Sequence, residues 1–272
     1  MVTPSERKEA AEWAVQTKNI SIRRACRLFS IGCQAYRYES KRQPDDEVRE
    51  ALLELAEKHK RWGFGLMFDY LRYNGHKWNH KRVYRVYKEL ELNLRIKPRK
   101  RIESRNPVPL STPDSACVSY SVDFTSDSLN NGQRFRTFNV IDDYNRESLA
   151  ITVGYSLPSS CVTETLDQVA IDYGYPAQIR CDNGPEFISH EFKKWCSDKG
   201  IHIAYIEPGC PTQNAFIERF NRTYREEVLD LYAFSSISEV QEITSRWRYD
   251  YNHHRPHSSL NRMPPVGYAQ IH

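Results

Sequence analysis

The sequence predicts an α/β domain in the later part of the chain, preceded by an all-α region. Residues 116–251 alternate strand-like and helix-like segments, whereas the first 95 residues have apolar residues at helical spacing. Charge divides the chain in the same way: residues 1–106 hold 25 Lys and Arg against 14 Asp and Glu, and the rest holds 14 against 21. This division indicates polyanion binding joined to a site that uses carboxylates, although two ordinary solvated surfaces are the alternative.

Composition excludes several classes of protein. The 272 residues contain no uncharged apolar run of about 18 residues, so no membrane-spanning helix is expected, and the start MVTPSERKEA lacks the apolar segment of a signal peptide. The seven cysteines form an odd set without a Cys-x-x-Cys pair. We therefore expect a cytoplasmic protein with reduced thiols and no zinc knuckle.

The first region, residues 1–40, is predicted to be a helix-turn-helix-like DNA-binding region. Helices are expected at 3–17, 21–29 and 33–38. The letters TPSE at residues 3–6 form the pattern of a capped helix start. Two short helices around the turn at 30–32 are typical of a helix-turn-helix, although Phe29 stands where many such motifs have glycine. A generic three-helix bundle is the alternative.

A second helical region, predicted to bind DNA, is assigned to residues 45–95. Helices are expected at 47–59, 66–73 and 80–92. The last of them has one apolar face and one basic face, which carries Lys81, Arg82, Arg85 and Lys88. A basic face suits a helix laid on phosphate groups, with a merely solvated face as the alternative.

Residues 96–110 are predicted to be a basic linker. Its candidate DNA-contacting residues are Lys97, Arg99, Lys100 and Arg101. Basic residues at this density could follow a DNA backbone, although charged linkers are often only soluble spacers.

From residue 111 onward the pattern becomes α/β. Strands are expected at 117–124, 135–141, 148–154, 178–181 and 201–205. Helices are expected at 160–173, 190–199, 213–229 and 237–251. The turn residues Asn130-Asn131-Gly132 predict a hairpin between the first two strands. We expect a mixed sheet with flanking helices, in a core over 111–230 with a C-terminal helix and tail over 231–272.

Three acids stand at unusual places in this pattern. Asp123 is expected near the end of the first strand, Asp182 directly follows the fourth, and Glu218 lies on the helix at 213–229. In open α/β sheets, functional groups gather where strands end and face a crevice. None of them looks like a helix cap, although any one acid alone is more simply a structural residue, held by capping hydrogen bonds or a salt bridge. The three together indicate a site.

Carboxylates that converge without His or Cys ligands repel one another unless a hard cation lies between them. Oxygen ligands favour Mg²⁺ or Mn²⁺ over zinc, and two such ions about 4 Å apart stabilise the attacking and leaving oxygens of phosphoryl transfer. Glu218, Arg222 and Arg225 share one helix face, which suits a metal ion beside phosphates, although Glu218–Arg222 pairing is the alternative. With the basic first part, this predicts chemistry on nucleic-acid phosphodiesters.

Five stretches of the sequence resemble a known family: SVDFTSD, VIDDYNRESLA, IRCDNGPEF, PGCPTQNAFIERFNRTYREEVLD and YNHHRPHSSLNRMPP. They resemble the OrfB-type transposases of the insertion-sequence-three family, within the DDE transposase and retroviral-integrase superfamily. The resemblance spans Ala116 to Tyr268, and residues 47–94 resemble the helical DNA-binding region that precedes the family's catalytic core. The 35 residues between Asp182 and Glu218 match the superfamily's DD(35)E signature.

This resemblance implies an RNase H-like core in which Asp123, Asp182 and Glu218 are the catalytic triad and hold two Mg²⁺ or Mn²⁺ ions. Asp123 would be shared by both ions, and Arg225 would contact the DNA of the element's end. Four residues would shape the active site: Asn183, Gly184, Gln213 and Asn214. The RPHSSL motif at 255–260 would be structural or DNA-contacting.

The implied activity is cleavage at insertion-sequence ends and transfer of the freed 3′-OH into other DNA. The implied partners are terminal inverted repeats, target DNA, further copies of the chain, and an upstream OrfA-type DNA-binding protein, separate or fused. When bound to DNA, the protein would be associated with the bacterial nucleoid. Two alternatives stay open: a catalytically inactive DNA-binding regulator, and a metal-dependent nuclease without strand transfer.

Three positions depart from the family pattern. Tyr120 replaces a tryptophan before the first aspartate, and Arg219 follows Glu218 where serine is common. Residues 63–67 read GFGLM where an arginine-bearing sequence is frequent, which weakens the case for DNA contact by that helix. The triad itself does not depart from the pattern.

Overall fold

The computed structural model describes residues 3–38, 44–94, 110, 112–207 and 211–271. The chain divides into two compact units, Met1–Glu47 and Val48–His272. The predicted DNA-contacting residues of the basic linker lie outside the described residues: Lys97, Arg99, Lys100 and Arg101.

The first unit contains α1 (Pro4–Lys18), α2 (Ile22–Leu28) and α3 (Cys33–Arg37). The predicted capping box begins α1: the Glu6 amide donates to the Thr3 hydroxyl at 3.3 Å, and the Thr3 amide donates to the Glu6 carboxylate at 2.7 Å. In the turn before α3, the left-handed residue is Ser30, with φ 50°, whereas Phe29 has φ −94°. Glycine is therefore not needed at position 29, since Phe29 has an ordinary backbone conformation.

The next three helices are α4 (Asp46–Lys58), α5 (Phe64–Tyr73) and α6 (His80–Glu89). Their apolar faces meet in one cluster, which includes Leu52, Trp62, Leu71, Val83 and Val86. Helix α5 begins two residues earlier than predicted because Phe64 also packs against this cluster. The predicted apolar and basic faces of α6 are confirmed, since Val83 and Val86 are buried and Lys81 is exposed.

The predicted strands form one mixed sheet in the order β3-β2-β1-β4-β5. They are β1 (Ser119–Ser128), β2 (Arg134–Asp142), β3 (Ser148–Gly154), β4 (Gln178–Cys181) and β5 (His202–Tyr205). The first three strands pair with one another in antiparallel fashion, whereas β4 pairs in parallel with β1 and β5 pairs in parallel with β4. The short connection between β1 and β2 is the predicted hairpin.

The prediction that β1 ends near Asp123 is wrong. The strand continues because its ladder with β2 extends to the pair Ser128–Arg134. The parallel ladder with β4, in contrast, stops at the pair Ser121–Arg180. Asp123 is therefore inside β1 but beyond the point where β4 accompanies it.

Six helices complete the domain: α7 (Ser159–Tyr173), α8 (Pro185–Ile188), α9 (His190–Lys199), α10 (Ala215–Tyr224), α11 (Ile237–His253) and α12 (Pro265–Ala269). The single helix predicted over 213–229 is wrong, since a 3₁₀ turn at Pro211–Asn214 precedes α10 and a π-helical turn at Arg225–Leu229 follows it. In the π turn the Asp230 amide donates to the Arg225 carbonyl at 2.8 Å. The wider turn accompanies contacts of Glu227 with α11, which helical periodicity does not reveal.

The sheet is covered on both faces. Helices α7, α8 and α9 pack on one face over a core that includes Val122, Val140, Ile179 and Phe187. Helices α10 and α11 pack with the other face, where Ile141 meets residues such as Phe220 and Tyr251. This is the three-layer arrangement of an α/β fold. Among the described residues, no helix has the length and apolar character required to cross a bilayer.

Candidate active site

Asp123 and Asp182 meet because neighbouring parallel strands place them at the same level of the sheet. Each lies two residues beyond the last pair of the β1–β4 ladder, Ser121–Arg180. Tyr120 and Val122 on β1, like Ile179 and Cys181 on β4, are buried against α7–α9. Because side chains alternate along a strand, the two aspartates face the opposite side, where α10 lies. Asp182 is exposed, and Asp123 is partly buried.

Helix α10 brings Glu218 to these aspartates. Ile217 and Phe220 bury one face of the helix, which leaves Glu218 exposed on another. Asn221, one turn after Glu218, donates from Nδ2 to Asp123 Oδ2 at 2.8 Å. This hydrogen bond fixes the side of α10 that faces Asp123, and it places Glu218 within electrostatic range of that carboxylate.

The pKa of Asp123 is raised from 3.8 to about 6. Burial is the main cause, and the negative charges of Asp182 and Glu218 raise the pKa further. Hydrogen bonds from the Phe124 amide, at 2.8 Å, and from Asn221 act in the opposite direction and stabilise the charged form. The three acids therefore concentrate negative charge at this place, and a bound cation would relieve their repulsion.

The donor set fits a hard cation, since it consists of carboxylate oxygens. In the described parts of the chain, however, no three His, Cys, Asp or Glu side chains are arranged as ligands of one ion. Asp182 Oδ1 accepts from the Gly184 amide at 3.0 Å, and Asp123 Oδ1 accepts from the amide of Phe124. Two of the carboxylates are thus held by hydrogen bonds from their own backbone neighbours.

Two of the four predicted shaping residues, Asn183 and Gln213, make side-chain hydrogen bonds to the backbone. Asn183 Nδ2 donates to the Ile206 carbonyl at 3.0 Å, and Gln213 Oε1 accepts from the Glu207 amide at 2.8 Å. A Cβ added at Gly184 would lie 2.9 Å from Asp182 Oδ1, so the glycine allows the carboxylate its close approach. Asn214 is buried, and its Oδ1 accepts no hydrogen bond from any residue that the structure describes.

The sequence did not predict that two linked asparagine side chains support Asp123. We call these two side chains, Asn139 and Asn221, the amide chain. Asn139, fully buried on β2 directly opposite Asp123, donates from Nδ2 to Asn221 Oδ1 at 2.7 Å. The same amide group lies 3.2 Å from the Thr125 hydroxyl. An asparagine inside the apolar run of β2 is the signal in the sequence, because buried polar side chains require partners. Its partner on α10 is visible only in the fold.

A neighbouring acidic motif has a structural role instead. In VIDDYNRESLA, Asp143 is fully buried and accepts from Ser119 at 2.7 Å, Ser121 at 2.5 Å and Arg180 at 3.0 Å. These three donors belong to β1 or β4. Asp143 therefore ties the two strands together below the level of Asp123 and Asp182, and it is not a candidate catalytic acid.

The predicted basic residues near the site differ in their surroundings. Arg222 is exposed and makes no ion pair with Glu218 among the described residues, so the alternative of structural pairing is not supported. Arg225 instead donates to the Ser126 carbonyl at 2.8 Å and lies 3.5 Å from Asp127, at the end of β1. On α6, Lys81 is exposed, Arg82 is partly buried and Arg85 pairs with Glu89 at 2.8 Å.

Comparisons with known proteins agree with this architecture. Two models described as Integrase core domain match residues 116–211 and 199–265, and one described as HTH-like domain matches residues 43–101. The last match falls on the second helical region, and the helix-turn-helix assignment of residues 1–40 stays a prediction.

Two insertion-element proteins are similar over most of their length. The chain is 39% identical to the uncharacterized 39.2 kDa protein of insertion element IS476 from Xanthomonas euvesicatoria, covering 98% of this chain and 78% of that one. It is 36% identical to the uncharacterized 31.7 kDa protein of IS407 from Burkholderia multivorans, covering 93% and 92%. Among solved structures, the HTLV-2 integrase catalytic core domain in complex with magnesium aligns with a TM-score of 0.45 at 15% identity, covering 57% of this chain and 98% of that chain.

The mixed sheet, the carboxylate-bearing strands and the preceding helices define a protein with an integrase core, and the predicted RNase H-like fold is confirmed. Proteins of this class are polynucleotidyl transferases. The chain belongs to the OrfB-type transposases of the insertion-sequence-three family.

Proposed function

We propose that the chain is a transposase of the DD(35)E type, in which Asp123, Asp182 and Glu218 form the catalytic triad. The observation that carries this proposal is the common level of the two aspartates beyond the Ser121–Arg180 pair, with α10 joined to Asp123 through Asn221. The raised pKa of Asp123 adds support, since it reflects burial and the negative charge of the other two acids.

The three carboxylates would together hold two Mg²⁺ or Mn²⁺ ions, Asp123 serving both and Asp182 and Glu218 one each. When bound, the ions would stabilise negative charge on the attacking and leaving oxygens of a phosphodiester. Two observations support this role for Asp182: the Gly184 amide donates to its Oδ1, and Phe187, shortly after it, is buried.

Two phosphoryl transfers follow from this arrangement. Water would first attack the phosphodiester at the element's end, breaking the bond to the 3′ oxygen and leaving a free 3′-OH. That hydroxyl would then attack a phosphodiester of the target in line, forming the new strand and releasing the target's own 3′ oxygen. Arg222, which is exposed and follows Glu218 by four residues on α10, would contact DNA phosphates. No covalent bond to the protein is needed in either step.

Binding of the terminal inverted repeats would fall to the helical regions before residue 95, where Lys81 offers an exposed cation. We further propose that the chain acts as a homo-oligomer, alone or with an OrfA-type partner, and associates with the nucleoid through DNA. Arg225 would contact DNA from the end of β1, where its guanidinium donates to the Ser126 carbonyl and lies near Asp127.

The test of this function is a joining assay with oligonucleotides of the element's end, target DNA and Mg²⁺. Joined products of the expected length would support the transposase. Cleaved ends without joining would indicate a nuclease, and binding without cleavage would indicate an inactive regulator.

Replacing Asn221 by alanine is expected to slow joining by about 10- to 100-fold, the scale typical of residues that orient a metal ligand. The variant loses the donor to Asp123 and the acceptor for the buried amide of Asn139. Single-turnover rates at saturating end DNA would measure the effect.

Glu226→Ala is the matched control for Asn221→Ala, because Glu226 is exposed in the turn that follows the same helix. It should join strands at nearly the rate of the unmodified chain. An Asn221→Ala variant with an unchanged rate would rule out a supporting role for the amide chain.

A further inference from the structure

The π-helical turn that follows α10 contains a partly buried carboxylate, Glu227, which is bound by two residues from later in the chain. Its Oε1 accepts from Arg255 Nε and lies 3.0 Å from the second guanidinium nitrogen, Nη2. Its Oε2 accepts from Trp247 Nε1 at 3.0 Å. The side chains of Glu227 and Arg255 are only 11% and 13% exposed. We call these three residues the Glu227 clamp.

Packing alone does not require a charged pair at this place. An ion pair removed from water must recover a large desolvation cost, and apolar residues of similar volume often give equal or higher stability. The clamp differs from apolar contacts because its hydrogen bonds are directional. A guanidinium and an indole N–H together fix both oxygens of the Glu227 carboxylate. The clamp therefore sets the orientation of the turn more narrowly than apolar contacts would.

The clamp is connected to the helix that carries Glu218. The centroid of the Trp247 ring lies 5.7 Å from that of Phe220 and 5.1 Å from that of Tyr224, and both partners are on the buried face of α10. The Tyr224 hydroxyl also shares a 2.7 Å hydrogen bond with Thr244 of α11. Helix α11 thus holds α10 along its buried face and again at its C-terminal turn, opposite the face that carries Glu218.

Arg255 begins the RPHSSL motif, and backbone hydrogen bonds hold the loop that contains it. The amides of His254 and Arg255 both donate to the Asp250 carbonyl, at 2.8 and 3.0 Å, where α11 ends. The His257 amide then donates to the Met263 carbonyl at 3.1 Å, which closes the loop. The backbone on both sides of Arg255 is therefore fixed, and the guanidinium is presented inward to Glu227.

We propose that Glu227, Trp247 and Arg255 are positioning residues for the transposition reaction. The Glu227 clamp fixes the rotation and the axial position of α10, so that Glu218 and Asn221 face Asp123. It follows that the RPHSSL motif acts through Arg255 on the catalytic helix and does not contact DNA through this arginine. This inference rests on the proposed function, because it assigns a task to residues that do not touch the reacting atoms.

The experiment compares Glu227→Gln and Arg255→Met with two controls matched in chemistry and location. Glu226→Gln changes an exposed acid in the same turn, and Arg246→Met changes an exposed arginine on α11. Each full-length variant is measured for end-DNA affinity, for the joining rate at saturating DNA, and for the Mg²⁺ concentration that gives half the maximal rate.

We expect both clamp variants to join at least about tenfold more slowly at saturating DNA and to need several-fold more Mg²⁺, with end-DNA affinity unchanged within about twofold. The controls should match the unmodified chain. Loss of DNA affinity with a normal rate at saturation would overturn the proposal, since Arg255 would then be a DNA contact. Normal rates and affinities in both clamp variants would overturn it as well.

Trp247→Phe keeps the aromatic packing and removes only the N–H donor, so it tests the clamp if the charge variants fold poorly. It should slow joining by several-fold at an unchanged melting temperature, and an unchanged rate would count against the proposal. Hydrogen exchange of the α10 amides gives a readout without catalysis: Trp247→Phe should exchange faster there than the unmodified chain, and equal protection would overturn the inference. If the unmodified chain fails to join strands, the proposed function fails, and the exchange result still decides whether the clamp holds α10.

Discussion

Replacing Asp182 by asparagine is expected to abolish cleavage and joining while leaving end-DNA binding intact. The side chain follows β4 directly and faces α10 at the level of Asp123. Asparagine keeps the size and can still accept the hydrogen bond from the Gly184 amide, but it removes the negative charge. We expect a loss on the order of 10³-fold or more, the scale seen when a group that acts on developing charge is removed.

The measurement is the single-turnover joining rate of a pre-cleaved end, together with end-DNA affinity in the same buffer. Asp198→Asn is the control, because Asp198 is exposed near the end of α9. That helix leads into β5, whose first residue pairs with Gln178 at the start of β4. Asp198 therefore lies toward the start of β4, whereas Asp182 follows its end. Joining by Asp182→Asn at a rate close to that of the control would refute the assignment of the triad.

Replacing Asp123 by asparagine is expected to stabilise the fold in the absence of metal while it removes activity. A pKa raised from 3.8 to about 6 means that the folded state binds this proton more tightly than the unfolded state does. The free energy of unfolding therefore falls as the pH rises from about 4 to 6, and the full penalty is present above pH 6. A shift of about 2 pKa units corresponds to roughly 3 kcal/mol, which is an upper limit for the gain of the variant.

Urea unfolding with a chelator at pH 7.5 and at pH 4 would measure this effect. The Asp123→Asn variant should be more stable by up to about 3 kcal/mol at pH 7.5, and the difference should shrink below about 1 kcal/mol at pH 4. Added Mg²⁺ should stabilise the unmodified chain more than the variant, since a ligand of the folded state shifts unfolding by mass action. A variant that is less stable than the unmodified chain at pH 7.5 without metal would contradict the burial of an unpaired charge at this site.

The sequence predicted the sheet and most helices well because their periodicity is local. It placed the end of β1 too early because strand length depends on the partner: β2 accompanies β1 to Ser128, far beyond the apolar residues. It also predicted one continuous helix where the structure has α10 followed by a π turn. The contacts of Glu227 in that turn come from Trp247 and Arg255, later in the chain, so local periodicity does not reveal them.

The residues of the candidate site also differ in whether the sequence predicts them. Asp182 can be found from the sequence, since an acid after an apolar strand is conspicuous, and its distance from Glu218 matches a family signature. The contribution of Asn139 cannot be found in this way, because it depends on two neighbours, Asp123 across the strand pair and Asn221 on α10. Sequence patterns identify groups that touch a substrate more readily than groups that hold them in place.

The position of both aspartates two residues beyond the pair Ser121–Arg180 has a consequence for how this chain can evolve. Substitutions near them change the surroundings of the carboxylates but leave their direction unchanged. A deletion or insertion of one residue between Arg180 and Asp182 would turn the carboxylate toward the core, because side chains alternate along a strand. Lineages of this protein should therefore accumulate point changes in these two strand segments while keeping their lengths fixed, and length variation should be confined to the connections between elements.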